Sequence, residues 1–281
     1  MLCSDLIISI SEYMKEYNYY FLNKALYKSI IIVEKSKYWK EIYIKFFKDI
    51  NKEYLILEGN YNWKREYMRV MGFNKWLYIY NTPKLVIKGY WMKAIPKEIG
   101  NLSDLEYLDL SSNEIEDIPE EISNLTKLKH LDLGGNRIKI IIKKVFDLIN
   151  LEFLRFSHNQ INEIPNEIDK LIKLKVLDLS GNKIREIPIE IGNLINLEKL
   201  LLENNGNIIK IPKELGNLTE LKVLNLLNNK ITKIPEELGD LTKIEFMNFI
   251  GNEITCFPTK IKQMELYYNH NYNNQGKGIY R

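Results

Sequence analysis

Hydrophobic and polar positions recur along most of this chain with a period of 23 residues. The stretch from Leu174 to Leu194 shows the unit most clearly, as LKVLDLSGNKIREIPIEIGNL. Within it Leu174, Leu177 and Leu179 alternate with outward positions, which is the pattern of a strand with one buried face. The isoleucines that follow are spaced to fill the interior of a coil. Each unit is therefore predicted to be a short strand followed by a return segment.

Equivalent units begin at a leucine in the same register. These leucines are Leu102, Leu125, Leu148, Leu171, Leu194, Leu218 and Leu241. They are 23 residues apart, except that the unit starting at Leu194 has 24 because Asn205-Gly-Asn-Ile208 contains an extra residue. Residues 79–101 form a degenerate first unit, in which Tyr90 replaces a recurring asparagine.

That asparagine occupies one fixed position in every full unit. The set is Asn113, Asn136, Asn159, Asn182, Asn205, Asn229 and Asn252. A chain that turns sharply within a stack has backbone groups that cannot reach water, and a buried Asn offers them donors and an acceptor. We expect this asparagine ladder to be structural.

The return segment is predicted to be a short helical turn that begins at a Pro and ends at a Gly. The second unit departs from this pattern, because it has Ile141-Ile142 in place of Ile-Pro and Phe146 in place of Gly. A less regular turn is expected there.

These motifs, Leu-x-x-Leu-x-Leu-x-x-Asn with Ile-Pro and Gly-Asn-Leu, resemble the intracellular 23-residue class of the leucine-rich repeat family. The resemblance implies an α/β fold, a right-handed solenoid or horseshoe with short parallel strands on its concave face. It covers residues 79–263. Residues 264–281 are predicted as a short capping strand, near 265–269, and a flexible tail. The implied function is binding of a protein or peptide on the concave face.

Residues 1–78 lack the period and have helical apolar spacing, which predicts a small α-helical region. Ser4–Met14, Phe21–Leu26 and Tyr38–Phe47 resemble a diverged F-box. This resemblance implies that residues 1–50 bind a Skp1-type adaptor, making the chain a substrate receptor of a ubiquitin ligase. The alternative is a helical cap over the open end of the solenoid. A scaffold or regulator of small-GTPase signalling and a host-directed decoy remain open as functions.

Candidate binding residues occupy the outward positions of the predicted strands. They are Tyr107, Asp109, His130, Asp132, Phe153, Arg155, Asp178, Leu201, Leu227, Phe246 and Ile250. Exposed aromatic, arginine and apolar side chains are typical of protein interfaces. The alternative is that these residues only favour strands and that Arg155 only neutralises Asp132 and Asp178.

A row of charges precedes these positions and alternates in sign from unit to unit. It consists of Glu106, Lys129, Glu152, Lys175, Glu198, Lys222 and Glu245. Each charge is predicted to lie between two opposite ones, which would keep the surface soluble and help to set the register.

Composition narrows the functional classes. A net charge of +3 on 281 residues is too small to indicate nucleic-acid binding. Cys3 and Cys256 are far apart and no cysteine clusters flank the repeats, which favours a reducing, intracellular and cytoplasmic setting in the protein's own cell or a host cell. No signal peptide or membrane-length run is evident. His130 and His158 are too far apart to share a metal, and no nucleophile or phosphate-loop motif appears. We therefore expect no enzyme activity, cofactor, metal or membrane partner.

Overall fold

The structure is a computed structural model that describes residues 55–58, 83–89, 91–263, 267–268 and 278–280. All of them lie within one compact unit, Glu53–Arg281. The described strands form a single sheet in the order β1 to β9, then β11, then β10. Their bounds are Leu55–Glu58 (β1), Lys84–Lys88 (β2), Tyr107–Asp109 (β3), His130–Asp132 (β4), Phe153–Arg155 (β5), Val176–Asp178 (β6), Lys199–Leu201 (β7), Val223–Asn225 (β8), Phe246–Asn248 (β9), Tyr267–Tyr268 (β10) and Gly278–Tyr280 (β11).

Strands β1 to β9 are parallel and in register. The central residue of each strand from β3 to β9 is a Leu or Met that is almost fully buried, and successive central residues stack, as Leu131, Leu154 and Leu177 do. Leucines and isoleucines from the return segments complete one continuous apolar core. The predicted solenoid of strands and return segments is confirmed.

A 3₁₀ helix of five residues follows each strand from β2 to β8. These helices are Lys97–Asn101, Glu120–Asn124, Lys143–Asp147, Asn166–Lys170, Ile189–Asn193, Lys213–Asn217 and Glu236–Asp240. Pro precedes six of them with φ between −60° and −73°, the angle that its ring imposes. One short α-helix, α1 (Thr259–Gln263), follows the last of them.

The expectation of an irregular return segment in the second unit is wrong. Ile142 precedes the helix Lys143–Asp147 with φ −66° and ψ 144°, close to the −60° and 144° of Pro165 in the next unit. An isoleucine can adopt the angle that proline enforces, so the turn keeps its length. Phe146 places its ring in the core, where it is fully buried.

The asparagine ladder makes the hydrogen bonds that its position suggested. The Asn182 amide nitrogen donates to the carbonyls of Phe156 at 2.9 Å and Leu179 at 3.0 Å. Its Oδ1 accepts from the backbone N–H of Ile161 at 3.0 Å. Each such side chain therefore joins its own turn to the preceding one.

The extra residue of the fifth unit is absorbed locally. Gly206 has φ +71°, a conformation that glycine adopts without steric cost, and a Cβ there would meet open space. Its N–H donates to Asn229 Oδ1 at 3.1 Å. Ile208 still reaches the core, and the backbone of Lys210 forms a parallel β-bridge with that of Lys233 in the next unit.

Both ends differ from the sequence-based prediction. Within the bounds of the predicted helical region, 1–78, the structure has a strand that the sequence analysis did not predict, Leu55–Glu58, which pairs in parallel with β2. A strand does occur within the predicted capping segment, at β10. However, β11 lies between β10 and β9 and pairs antiparallel with both, so the predicted tail contains a strand at Gly278–Tyr280. The predicted helices, the F-box-like segment and Tyr90 lie outside the described residues.

Candidate functional site

The outward residues of β3 to β9 form one continuous surface, which we call the strand face. Its first row consists of the residue before each central leucine: Tyr107, His130, Phe153, Val176, Lys199, Val223 and Phe246. Because the strands are in register and about 4.8 Å apart, these side chains lie side by side. All are partly or fully exposed.

Three rings of the first row form a parallel stack. The ring centroids of Tyr107 and His130 are 3.9 Å apart, and those of His130 and Phe153 are 4.1 Å apart, with planes within 8° of parallel. Lys84 Nζ covers the other side of Tyr107, 4.3 Å from the ring centroid, and Val176 follows Phe153 in the register. The ring faces are thus largely occupied by neighbours, and the ring edges are what a ligand would meet.

The stack is uncharged at neutral pH. Burial lowers the pKa of His130 to about 4; the charge of Lys84 lowers it further, and that of Asp109 opposes the shift. Burial, with the nearby Asp109 and Asp132, raises the pKa of Tyr107. His130 therefore offers one donor and one acceptor, and the Tyr107 hydroxyl keeps its proton.

The residue after each central Leu or Met forms a second row on the strand face, and its aspartates are less exposed than the sequence suggested. Asp109, Asp132 and Asp178 are only 6–8% exposed. In each of them Oδ1 accepts the backbone N–H two residues later, at 2.8–3.0 Å. These carboxylates therefore stabilise the turn that ends the strand, a role that the sequence analysis did not assign to them.

Arg155 replaces the aspartate in the third unit and links its two neighbours. Its guanidinium donates to Asp132 Oδ2 at 3.3 Å, to Asp178 Oδ2 at 3.0 Å and to Ser157 Oγ at 2.7 Å. Burial raises the pKa of Asp132, and Asp109 adds to this effect. The Arg155 side chain is still 37% exposed. Since a guanidinium carries five N–H donors, some remain for a ligand.

The strand face becomes apolar towards β9. Leu201 takes the place of an aspartate in β7, and Leu227, Phe246 and Ile250 are also partly exposed. Leu201 cannot accept the backbone N–H two residues later, as an aspartate would. The Glu203 carboxylate accepts this N–H, its own, instead. Burial, with Asp178, raises the pKa of Glu203, and its Oε2 is buried without a hydrogen bond among the described residues.

The row of alternating charges contains three close ion pairs. Lys129 bonds Glu106 at 2.8 Å, and the equivalent pairs are Lys175 with Glu152 at 2.7 Å and Lys222 with Glu198 at 2.6 Å. Each of these ion pairs joins a lysine to the glutamate of the preceding unit. The glutamate of the following unit also raises the pKa of each lysine, so these charges lie between two opposite ones, as predicted. Because water screens exposed charges, pairs of this kind contribute little to stability.

Within the described residues, no group of three or more His, Cys, Asp or Glu side chains is arranged to hold a metal ion. His130 lies within the aromatic stack, whereas His158 lies beyond the end of β5 with φ +54°. Among the same residues, no helix has the length and apolar character needed to cross a membrane.

Comparison with known families agrees with this geometry. Residues 131–253 match the family profile described as a leucine-rich repeat region, and residues 92–138 match a second leucine-rich repeat profile. Together the two matches cover residues 92–253, more than half of the chain. The chain belongs to the leucine-rich repeat family. No significant match was found among curated protein sequences.

Solved leucine-rich repeat structures resemble this chain. The ectodomain of the Arabidopsis thaliana receptor kinase GASSHO1/SCHENGEN3, in complex with CASPARIAN STRIP INTEGRITY FACTOR 2, is 34% identical over 64% of the chain, with a TM-score of 0.61. The Arabidopsis receptor kinase HAESA, in complex with the peptide hormone IDA and the co-receptor SERK1, is 32% identical over 65%, with a TM-score of 0.58. An internalin from Listeria monocytogenes is 30% identical over 62%, with a TM-score of 0.56. The chain spans 23%, 32% and 49% of these three chains, respectively.

Proposed function

We propose that this protein is a non-catalytic interaction module that binds a protein or peptide across the strand face. The observation that carries the proposal is the stack of Tyr107, His130 and Phe153. Side chains already held by their neighbours lose little freedom when a ligand binds, so more of the contact energy remains for affinity. Two of the similar leucine-rich repeat structures contain a bound peptide hormone or named protein factor, which supports the same class of function.

The strand face offers two kinds of contact to such a ligand. Ring edges, the Tyr107 hydroxyl and the free donors of Arg155 suit backbone carbonyls and acidic or polar groups of the ligand. Leu201, Leu227, Phe246 and Ile250 suit its apolar side chains. The ligand is therefore expected to carry polar groups towards β3 and apolar groups towards β9.

The experiment is a peptide selection on the full chain. A random peptide display library is selected on the immobilised protein, and the affinities of enriched peptides are measured by fluorescence anisotropy. Phe153→Ala and Leu227→Ala should each weaken binding by at least ~10-fold, the effect of truncating an interface hot spot. Ile189→Ala is the matched control, because Ile189 is 58% exposed but lies on a 3₁₀ helix away from the strand face. Equal binding by all three variants would remove the strand face from the proposal.

A second candidate is adaptor binding by the first 50 residues, which would make the chain an F-box-type substrate receptor. The sequence pattern of Ser4–Met14, Phe21–Leu26 and Tyr38–Phe47 favours it. The test mixes the full chain with a purified Skp1-type adaptor and analyses the mixture by size-exclusion chromatography. A co-eluting complex that Leu6→Glu disrupts and Lys15→Glu does not would support this candidate. Absence of a complex would leave the helical cap as the interpretation of this region.

We also infer a reducing, cytoplasmic setting. Cys256 is an exposed free thiol, and free thiols persist where the surroundings are reducing. In intact cells that express the protein, a membrane-impermeant thiol reagent should leave Cys256 unlabelled until the cells are lysed. Labelling before lysis would contradict this inference.

A further inference from the structure

Three exposed isoleucines recur at one position of three successive units. Ile149, Ile172 and Ile195 each lie in the turn that joins a 3₁₀ helix to the next strand, and each is 54–55% exposed. We call this set the isoleucine stripe. The equivalent residues in the other units all carry hydroxyl groups: Ser103, Thr126, Thr219 and Thr242. The solenoid therefore forms without isoleucine at this position, and the stripe is an apolar surface added to three adjacent turns.

Hydrogen bonds between the turns hold the stripe together. The amide nitrogen of Asn150 donates to the Thr126 carbonyl at 2.8 Å, and that of Asn196 donates to the Ile172 carbonyl at 2.7 Å. Lys173 Nζ donates to Asn150 Oδ1 at 2.7 Å. Neighbouring turns thus follow the spacing of the strands, about 5 Å, and the three side chains form one row roughly 10 Å long.

Polar side chains with a net positive charge border this row. The residues two before the isoleucines are Asp147, Lys170 and Asn193, and the residues that follow them are Asn150, Lys173 and Asn196. Lys170 bonds Asp147 at 3.1 Å, whereas the contact of Lys173 is with the neutral Asn150 amide. Two lysines and one aspartate among these six give +1, and both lysines flank the central Ile172.

The charges and the size of the stripe argue against a second copy of this chain as its occupant. A two-fold axis across the stripe would place Lys170 against Lys170 and Lys173 against Lys173. An axis along the stripe would place Lys170 against Lys173. Either arrangement brings like charges together at the centre, which is destabilising. Three half-exposed isoleucines also provide far less than the ~800 Å² that each partner buries in a standard interface.

We propose that the isoleucine stripe docks an amphipathic α-helix of a partner protein, with acidic residues on both sides of the helix's apolar row. Helix positions i, i+4 and i+7 are neighbours at 5–6 Å and cover about 10 Å, which matches the stripe, whereas alternate residues of a strand are nearly 7 Å apart. Acidic flanks complement Lys170 and Lys173. This surface is separate from the strand face and could bind a partner at the same time.

The test uses two designed helical peptides and the full chain. Both carry leucines at i, i+4 and i+7; one has glutamates beside them and the other has lysines. Fluorescence anisotropy should show that the glutamate peptide binds and that the lysine peptide binds at least ~10-fold more weakly. Ile172→Thr introduces the residue of neighbouring units and should weaken binding of the glutamate peptide by ~10-fold. Lys173→Glu should narrow or reverse the preference between the peptides.

Controls separate this site from other apolar surfaces. Ile189→Thr removes an isoleucine that is 58% exposed outside the stripe, and Phe153→Ala alters the strand face. Neither should change binding of the glutamate peptide. No binding, equal binding by the Ile172→Thr variant, or equal affinity for both peptides would overturn the proposal. A dimer in analytical ultracentrifugation that Ile172→Thr abolishes would overturn it in favour of self-association.

Discussion

Replacing Asn182 by Ala should destabilise the solenoid more than replacing an exposed asparagine by Ala. Asn182 is 6% exposed and satisfies three backbone groups at 2.9–3.0 Å: the carbonyls of Phe156 and Leu179 and the N–H of Ile161. A buried polar group left without a partner costs about 1–3 kcal/mol. After the substitution the carbonyls of Phe156 and Leu179 keep hydrogen bonds from Asn159 at 3.0 Å and Asn205 at 3.2 Å, and the Ile161 N–H is the group that loses its partner. The expected loss is therefore about 1–3 kcal/mol.

Urea denaturation followed by circular dichroism measures the free energy of unfolding of both variants. Asn196→Ala is the matched control, since it removes the same side chain and one exposed hydrogen bond, to Ile172. Its expected effect is below about 1 kcal/mol. If Asn182→Ala loses less than about 1 kcal/mol, or no more than Asn196→Ala, the ladder does not stabilise the stack as argued.

Three further predictions concern stability. His130 has a pKa of about 4 when folded against about 6.5 when unfolded, so the unfolded state binds more protons between these values and stability should fall as pH drops from 6.5 to 4. His130→Phe keeps the stack and removes the titrating group. Urea titrations at pH 7 and 4 should show that the loss of unfolding free energy is smaller in this variant by about 1–2 kcal/mol, a figure reduced for the partial exposure of His130. The same loss in both proteins would contradict this prediction. Phe146→Ala should lose about 3–5 kcal/mol because the ring is fully buried, and a loss below about 1 kcal/mol in the same assay would show that the core closes around it. His158→Gly should raise the melting temperature, with a gain of about 0.5–1 kcal/mol, because φ is +54° at this non-glycine residue; a lower melting temperature would mean that the imidazole makes a compensating contact.

The repeating part of the fold could be predicted because one physical problem recurs in every unit. Each unit must bury the same face of a short strand, so the leucine spacing gives both strand and register, as Leu131, Leu154 and Leu177 illustrate. The asparagine ladder followed for the same reason. The ends have no recurring neighbour, and β1 and β11 were accordingly missed.

The strand face could be predicted only as a set of outward positions. Which side chains meet depends on rotamers, and the period does not encode these; the stacking of His130 between two rings is an example. The proximity of Arg155 to Asp132 and Asp178, in contrast, followed from the register. The turn-stabilising role of Asp109 did have a signal, because Asp or Asn recurs at the strand end in most units. The isoleucine stripe also had a signal in the sequence, because three successive units carry Ile at a position that other units fill with Ser or Thr.

Hydroxyl-radical footprinting shows directly whether a ligand binds on the strand face. Oxidation of individual side chains is measured by mass spectrometry in the full chain, alone and saturated with a selected peptide. Binding on the strand face should reduce oxidation of Tyr107, Phe153 and Phe246 and leave Ile189 unaffected. Unchanged oxidation of the three aromatic residues, with protection only elsewhere on the molecule, would contradict it.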